Sequence, residues 1–244
     1  MPNFYARGDL AGGITVSRSP GSAGFRLIRV GRHAGCRHEQ CGRAPKAKGR
    51  SRWGAGRESR RLKALHATYG DEHPAIAMAI SNRGLCFKLR GDLDSAEPLY
   101  RQSLELRRKL LPANHPDIAM SLNNLASLLR DRGDYSEAET LYREALEVMK
   151  TSLPPGHFYH ALYRRNLGNC LIKLGRFEEA EREIQSAYDQ LSQTKGLPLE
   201  HVQATMEAFV KLYDAWNAAD ANAGASEKAN FWRERMTTTS KSSH

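Results

Sequence analysis

Hydrophobic residues after His115 recur at the spacing of two amphipathic helices. Apolar side chains in the first stretch return every three to four residues up to Gly133, and glycine favours the end of a helix. A second stretch has the same spacing and ends before the sequence LPPG at residues 153–156, which breaks a helix. The pattern therefore predicts a helix, a glycine turn and a second helix. The apolar positions are Ile118, Leu122, Leu125 and Leu129 in the first stretch, and Ala138, Leu141, Tyr142, Ala145, Leu146 and Met149 in the second.

This two-helix unit is repeated along the chain with a period of 42 residues. Residues 73–114 and 115–156 are identical at 18 of 42 positions without a gap, and residues 157–198 keep the same frame. A fixed period of this length is typical of solenoid proteins. His73, His115 and His157 open the three units, and the first two precede a proline that presets the first helical turn. We interpret these histidines as marks of the repeat, too far apart to share a metal.

Capping and small residues refine the prediction for each unit. Ser136, with Glu139 three residues later, has the spacing of a capping box and predicts the start of the second helix, with Asp94 as the cap in unit one. Small residues recur where the two helices of a unit must approach closely, and larger side chains there are expected to overpack. They are Gly84, Ala126 and Gly168 in the first helices, and Ala96, Ala138 and Ala180 in the second.

These features resemble the tetratricopeptide repeat in its 42-residue kinesin-light-chain form. The resemblance implies an all-α fold, a right-handed α-solenoid of antiparallel helix pairs with about three to four repeats. It covers residues 57–236, with units at about 73–114, 115–156 and 157–198 and a degenerate fourth unit at 199–236; residues 237–244 are expected to form a disordered tail. The matching residues are Leu125, Ala126, Gly133, Ala138, Tyr142 and Ala145 in unit two, and Leu167, Gly168, Gly175, Ala180, Ile184 and Ala187 in unit three.

The positive charge of the chain lies almost entirely before the repeats. Residues 1–56 contain 11 Lys and Arg against 2 Asp and Glu, and 11 of the 20 glycines, so we expect a disordered basic segment. The sequence HAGCRHEQC at 33–41 allows a zinc knuckle, although its four ligands are closer together than in usual zinc sites. A basic arm for nucleic acid, a transit peptide and a true start further along the chain are the other interpretations of this segment.

No catalytic motif accompanies the repeats. The chain lacks GxxxxGK[ST], GxSxG and HExxH, so we expect neither an enzyme nor a cofactor, and no metal site in the repeats. Cys86 and Cys170 fall within apolar helical patterns and are expected to be reduced and buried in a cytoplasmic protein. The apolar runs are too short to cross a membrane. The favoured function is a scaffold or adaptor that binds protein partners, and the alternative is a basic-tailed nucleic-acid-associated protein that assembles through its repeats; the oligomeric state is left open.

The resemblance also implies a binding surface on the first helices. In this family these helices line a concave groove for an extended peptide. The basic residues outnumber the single acid, which favours an acidic ligand or a terminal carboxylate. Solvent-exposed helix positions that bind nothing are the alternative interpretation. The expected groove residues are Met78, Ser81 and Lys88 in unit one, Asn123, Ser127, Arg130 and Asp131 in unit two, and Arg165, Asn169 and Lys173 in unit three.

Two further sets of residues recur in the units. Asn82, Asn124 and Asn166 occupy one equivalent position, where the amide could bind a peptide backbone or, as we favour, a neighbouring helix. The aromatic residues are expected to belong to the packing: Tyr100, Tyr142 and Tyr188 in the core of the second helices, and Trp216 and Trp232 at the C-terminal end of the array.

Overall fold

The computed structural model describes residues 51–194, 196–221 and 223–241, and every regular element within these ranges is an α-helix. The basic segment, with its possible zinc and nucleic-acid sites, lies almost entirely outside them. The helices are α1 Ser51–Tyr69, α2 Pro74–Lys88, α3 Leu93–Leu110, α4 Pro116–Arg132, α5 Tyr135–Ser152, α6 Phe158–Lys173, α7 Phe177–Gln193, α8 Leu199–Ala219 and α9 Ala225–Lys241.

The helices form a solenoid of consecutive pairs. The first helices α2, α4, α6 and α8 pack against the second helices α3, α5, α7 and α9, and each second helix that precedes another pair also packs on the next first helix. Because short turns join the two helices of a pair, their directions are antiparallel. The all-α solenoid predicted from the resemblance is confirmed. Helix α1 begins six residues before the predicted start of the array at residue 57, and α9 continues five residues past its predicted end at 236.

Histidine side chains cap the first helices of the three regular units. The imidazole Nδ1 of His73 accepts the backbone N–H of Ala75 at 3.1 Å, and that of His115 accepts the N–H of Asp117 at 3.1 Å. In the third unit His157 makes the equivalent bond to Tyr159, with a longer N–N distance of 3.4 Å. The repeated histidines therefore satisfy helix N-termini, which would otherwise have unpaired N–H groups.

The predicted caps of the second helices are wrong. Helix α3 is capped by Asp92, whose carboxylate accepts the N–H of Ser95, and Asp94 lies inside the helix. Helix α5 has Asp134 at its N-cap position without a side-chain bond, so Ser136 is already helical. The preceding glycine explains the shift, because Gly133 has a φ of 106° and turns the chain within one residue. The next helix can then begin earlier than a capping-box pattern suggests.

The small residues lie where the two helices of a unit touch, as predicted. Ala96, Ala138 and Ala180 are fully buried, and Gly84 and Gly168 are buried as well. A Cβ added to Gly168 would lie 2.5 Å from Cγ1 of Ile184, whereas one added to Gly84 would lie 3.3 Å from the ring of Tyr100. Of these two glycines, the one in unit three therefore has the closer approach.

Aromatic side chains fill the described C-terminal end of the array. Trp232 of α9 is stacked on Phe209 of α8, with ring centroids 4.1 Å apart, and Tyr188 of α7 meets the edge of Trp232 at 4.9 Å. Trp216 is stacked on Phe177 at 5.6 Å. These contacts bind the degenerate fourth helix pair to the third unit. The core prediction for Tyr100, Tyr142 and Tyr188 is confirmed, because each of the three side chains is buried.

Helix α1 packs on α2 in the way that a second helix packs on the next first helix. Within the described residues, no first helix precedes it. Counting back 42 residues from Tyr100 and Ser103, which contact α2, gives Glu58 and Arg61 on α1. These two side chains form an ion pair at 3.9 Å. Polar residues at such positions suit the terminal helix of a repeat array.

Candidate peptide-binding groove

The first helices form the inner side of the array. Helix α4 contacts α6 directly, and α6 contacts α8. The second helices are joined by long charged side chains: Arg101 of α3 reaches Glu137 of α5 at 2.9 Å, and Arg143 of α5 reaches Glu179 of α7 at 3.1 Å. Beyond helices that are consecutive in the chain, direct helix contacts are thus found among the first helices α4, α6 and α8. We refer to the exposed and half-buried side chains of α2, α4, α6 and α8, together with Leu89 directly after α2, as the groove.

The ion pairs of the outer side recur with the repeat and were not predicted. Arg101 and Arg143 are 42 residues apart, and each also binds the glutamate four residues before it, Glu97 or Glu139, at 2.8 Å. The identical spacing of these charges in units one and two was a signal in the sequence. A comparison of the charges that recur at equivalent positions of the second helices could have identified these pairs.

Four groove residues of α2 and α4 form a connected polar group, which we call the central ion cluster: Lys88, Ser127, Arg130 and Asp131. The Lys88 ammonium donates to the Ser127 hydroxyl at 2.6 Å and pairs with Oδ2 of Asp131 at 3.0 Å. The Arg130 guanidinium donates to Oδ1 of Asp131 at 2.7 Å through one NH2 group and at 3.1 Å through Nε. The structure thus brings four of the predicted groove residues together across two repeats.

Burial and charge act in opposite directions within this cluster. Burial lowers the pKa of Lys88 from its ordinary value, against the effect of Asp131. Partial burial would raise the pKa of Asp131, but the hydrogen bonds and charges of Arg130 and Lys88 lower it overall. Beneath the cluster, burial raises the pKa of the Tyr142 hydroxyl to about 12. The contacts of Asp131 with Lys88 and Arg130 therefore favour its carboxylate form.

A second group of groove residues connects α4, α6 and α8. The Asn166 amide donates to the side-chain oxygen of Asn123 at 2.9 Å, across two repeats. Arg165 donates to the backbone oxygen of His201 at 3.3 Å; burial lowers the pKa of Arg165, and the charge of Glu207 opposes that effect. Asn166 thus binds a neighbouring helix, as favoured for its position, and Asn123 is its partner.

The remaining predicted residues differ in what they offer to a ligand. Ser81 is only 5% exposed and leaves little surface for contact. Lys173 is exposed, while Asn169, Asn82 and Asn124 are half-buried, as is Met78.

Two groove features were missed in the sequence. Leu89 is 60% exposed at the unit position that Asp131 and Lys173 occupy, so the first unit presents an apolar side chain to the groove. Glu207, 42 residues after Arg165, adds an acid on α8. The periodicity could have identified both, since they follow from extending the predicted positions to every unit. The groove therefore carries less net positive charge than the sequence prediction, which counted four basic residues and one acidic residue.

The described residues hold neither a metal-binding cluster nor a membrane-spanning helix. No group of three or more His, Cys, Asp or Glu side chains there could hold a metal ion. None of the described helices is long and apolar enough to span a membrane. Neither Cys86 nor Cys170 is in a disulfide bond within the described residues. Cys170 is buried as predicted, and burial raises its pKa to about 11, whereas Cys86 is only half-buried and the prediction that it is buried is wrong.

Comparisons with known proteins agree with this architecture. A tetratricopeptide repeat model matches residues 59–109, 76–151 and 117–193, which together span more than half of the chain. No curated protein matches the sequence. Two similar crystal structures come from Podosopora anserina and contain the nearly identical TPR-like repeats of a kinesin light chain. Each is 20% identical in sequence to this chain, and one of them is a single-substitution variant.

The overlap with these structures extends over most of each chain. The structure of the variant has a TM-score of 0.63 and covers 79% of this chain and 90% of its own; the other has a TM-score of 0.62 and covers 78% and 89%. BtubC (BKLC) from P. vanneervenii is 19% identical, with a TM-score of 0.51 over 79% of this chain and 91% of its own. At such identities the similarity concerns the fold. The chain belongs to the tetratricopeptide repeat family, and its repeats fold like those of the kinesin-light-chain type.

Proposed function

We propose that the protein is a non-enzymatic scaffold whose groove binds an extended peptide segment of a partner protein. The family supports a role in protein–protein interaction. The observation that carries the proposal is the surface of the first helices, where three repeats have half-buried polar side chains and Leu89, directly after α2, is 60% exposed. Such a surface offers hydrogen bonds to a peptide backbone and an apolar contact to one of its side chains. We extend the proposal to a cytoplasmic location, since neither of the two described cysteines is in a disulfide bond.

The positions available to the peptide follow from the side-chain contacts. Asn123 and Arg165 are already engaged by neighbouring helices, so a peptide would bind them only as additional partners. Asn169 and Lys173 on α6 and Leu89 at the end of α2 are less occupied by such contacts and are the residues we expect a ligand to touch first. The expected ligand therefore combines an apolar side chain with polar backbone contacts; an acidic group near Lys173 would add to its affinity.

A selection from a random peptide library displayed on phage tests this function. We expect the selected peptides to lose affinity when Leu89→Asp or Lys173→Glu is introduced, because both variants change the groove without touching the core. Lys63→Glu is the matched control, since it makes the same charge change on an exposed side chain of α1. Equal binding of the selected peptides to the wild type and both groove variants would reject the groove as the binding surface.

A further inference from the structure

The carboxylate of Asp131 lies between two cations that come from successive repeats. Lys88 belongs to α2 and contacts one oxygen of Asp131 at 3.0 Å, while Arg130 belongs to α4 and contacts the other at 2.7 Å. A carboxylate that receives donors on both oxygens occupies the position in which an external carboxylate would be bound. The side chain of Asp131 thus resembles a ligand held in place by the chain itself.

The repeat shows that the fold does not require an acid at this position. The equivalent residues are Leu89 in unit one and Lys173 in unit three, and the three first helices all end close to this position. The cations next to this position occur only in units one and two. Lys88 and Arg130 occupy equivalent positions, and unit three has Ile172 there. Units one and two therefore share a pair of cations, and a single acid between them.

The cluster is also built so that Asp131 can be displaced. The side chain of Lys88 is 16% exposed and that of Arg130 24%, whereas that of Asp131 is 37% exposed. The cations are therefore held more firmly than the acid, which lies at the solvent side of the cluster. If Asp131 turned away, two half-buried cations would remain without a carboxylate, and an unpaired charge away from water is unfavourable. Another anion would then be favoured at the same place.

We propose that Asp131 is a specificity residue of the groove: its carboxylate fills the anion position between Lys88 and Arg130, so that the groove prefers peptides that are neutral at this point. This inference rests on the proposed peptide-binding function and refines the class of ligand. An acidic peptide side chain gains the two cations only by displacing Asp131, which removes most of the benefit. The acidic ligand expected from the sequence would meet this competition at Lys88 and Arg130, whereas Lys173 on α6 is exposed and lies outside the central ion cluster.

Binding of a labelled hexaglutamate peptide to the full chain tests the role of Asp131. Fluorescence anisotropy at low salt would compare the wild type with Asp131→Asn, and a hexaglutamine peptide would show binding that is independent of charge. We expect Asp131→Asn to bind hexaglutamate roughly tenfold more tightly than the wild type, since a charge–charge effect of this size is ordinary for half-buried groups. Hexaglutamine binding should stay unchanged.

Two further variants separate this effect from a change in net charge. Asp134→Asn removes an exposed acid that pairs with Arg132 at 3.3 Å, outside the central ion cluster, and should leave hexaglutamate binding near that of the wild type. Lys88→Met added to Asp131→Asn should abolish the gain, because one of the two cations is then missing. Asp131→Ser serves as a second test should Asp131→Asn melt at a lower temperature.

The outcomes distinguish this inference from the proposed function. Equal hexaglutamate affinity of Asp131→Asn and the wild type, an equal gain in Asp134→Asn, or no binding to any variant would overturn the role of Asp131. None of these results would affect the library selection, in which the wild-type groove could still bind neutral peptides. Conversely, a gain in Asp131→Asn combined with unchanged library binding in the groove variants would support the anion position and reject the peptide function.

Discussion

At the scale of single residues, equivalent positions of the repeat carry different chemistry. Arg107 is only 1% exposed and occupies the position of Met149 in unit two and Leu191 in unit three. Its guanidinium donates to the backbone oxygen of Asp117 and to the hydroxyl of Ser121, both at 2.8 Å. A buried cation contributes little net stability even when it is hydrogen-bonded, because leaving water is unfavourable. The other units show which apolar residues the position accepts.

We expect the double variant Arg107→Met with Ser121→Ala to be more stable than the wild type by about 1–2 kcal/mol, because it exchanges a buried polar network for apolar packing. Both replacements already occur at equivalent positions, as Met149 and Ala79. Arg107→Ala should instead lose about 2–4 kcal/mol, since it leaves a cavity and unpaired polar groups. Urea denaturation measures the free energy of unfolding of each variant. A double variant less stable than the wild type would show that the network is a net stabilising feature.

The two helix-packing glycines should respond differently to alanine. Alanine favours a helix over glycine by about 1 kcal/mol. Gly168→Ala would force its Cβ against Ile184, at 2.5 Å, and we expect a net loss of about 1–2 kcal/mol in unfolding free energy. Gly84→Ala meets the ring of Tyr100 only at 3.3 Å, and the gain in helix propensity should nearly offset that contact. Thermal melting of the two variants compares them, and equal losses would contradict the difference in packing.

At the scale of helices, histidine side chains accept hydrogen bonds at the N-termini of three first helices. A protonated Nδ1 cannot accept a backbone N–H, and a positive charge at a helix N-terminus opposes the helix dipole. Partial burial lowers the pKa of His157 below its ordinary value, and the neighbouring His160 acts in the same direction. The cap of α6 therefore favours the neutral imidazole in the folded chain.

The contribution of His157 to stability should be lost in acid. A histidine pKa that is lower in the folded state than in the unfolded state means that the unfolded chain binds more protons, so stability rises with pH in this range. The contribution is fully present above the unfolded pKa of about 6.5 and is lost as the pH falls through the lowered folded value. Between pH 7.5 and pH 5, we expect the urea midpoint of the wild type to fall more than that of His157→Asn, whose amide caps the helix without titrating. Equal falls would contradict this role of the cap.

At the scale of the whole molecule, the array is held by direct packing on its inner side and by ion pairs on its outer side. The pairs made by Arg101 and Arg143 lie at the surface, where the two arginine side chains are 48% and 44% exposed. Exposed ion pairs contribute little, and salt screens them. Nearest-neighbour packing between repeats is therefore expected to dominate the stability of the array.

Replacing both outer arginines measures how much the outer ion pairs contribute to the stability of the array. We expect Arg101→Ala with Arg143→Ala to lower the unfolding free energy by no more than about 1–2 kcal/mol, and the loss to shrink in high salt. Urea denaturation at low and high salt measures the loss. A larger loss that salt does not reduce would mean that these pairs hold the repeats together.

The sequence predicts the elements of this molecule better than its surface. The 42-residue period identified the helix pairs and the packing at Gly168 and Ala138, because close contacts leave a strict pattern of small and apolar residues. It gave the wrong caps at Asp94 and Ser136, since a local pattern cannot show where the chain emerges from a glycine turn. The charge of the groove was overestimated for a related reason: Asp131 was counted, but its position between two cations is a tertiary fact.

Photo-crosslinking with a peptide from the library selection tests most directly whether the groove is the binding surface. A benzophenone amino acid would replace Lys173, which is exposed on α6, or Thr140, which is exposed on the outer helix α5. We predict that the peptide is crosslinked from position 173 and not from position 140, and that an excess of unlabelled peptide prevents the crosslink. Crosslinking from position 140 alone, or with equal yield from both positions, would contradict binding in the groove.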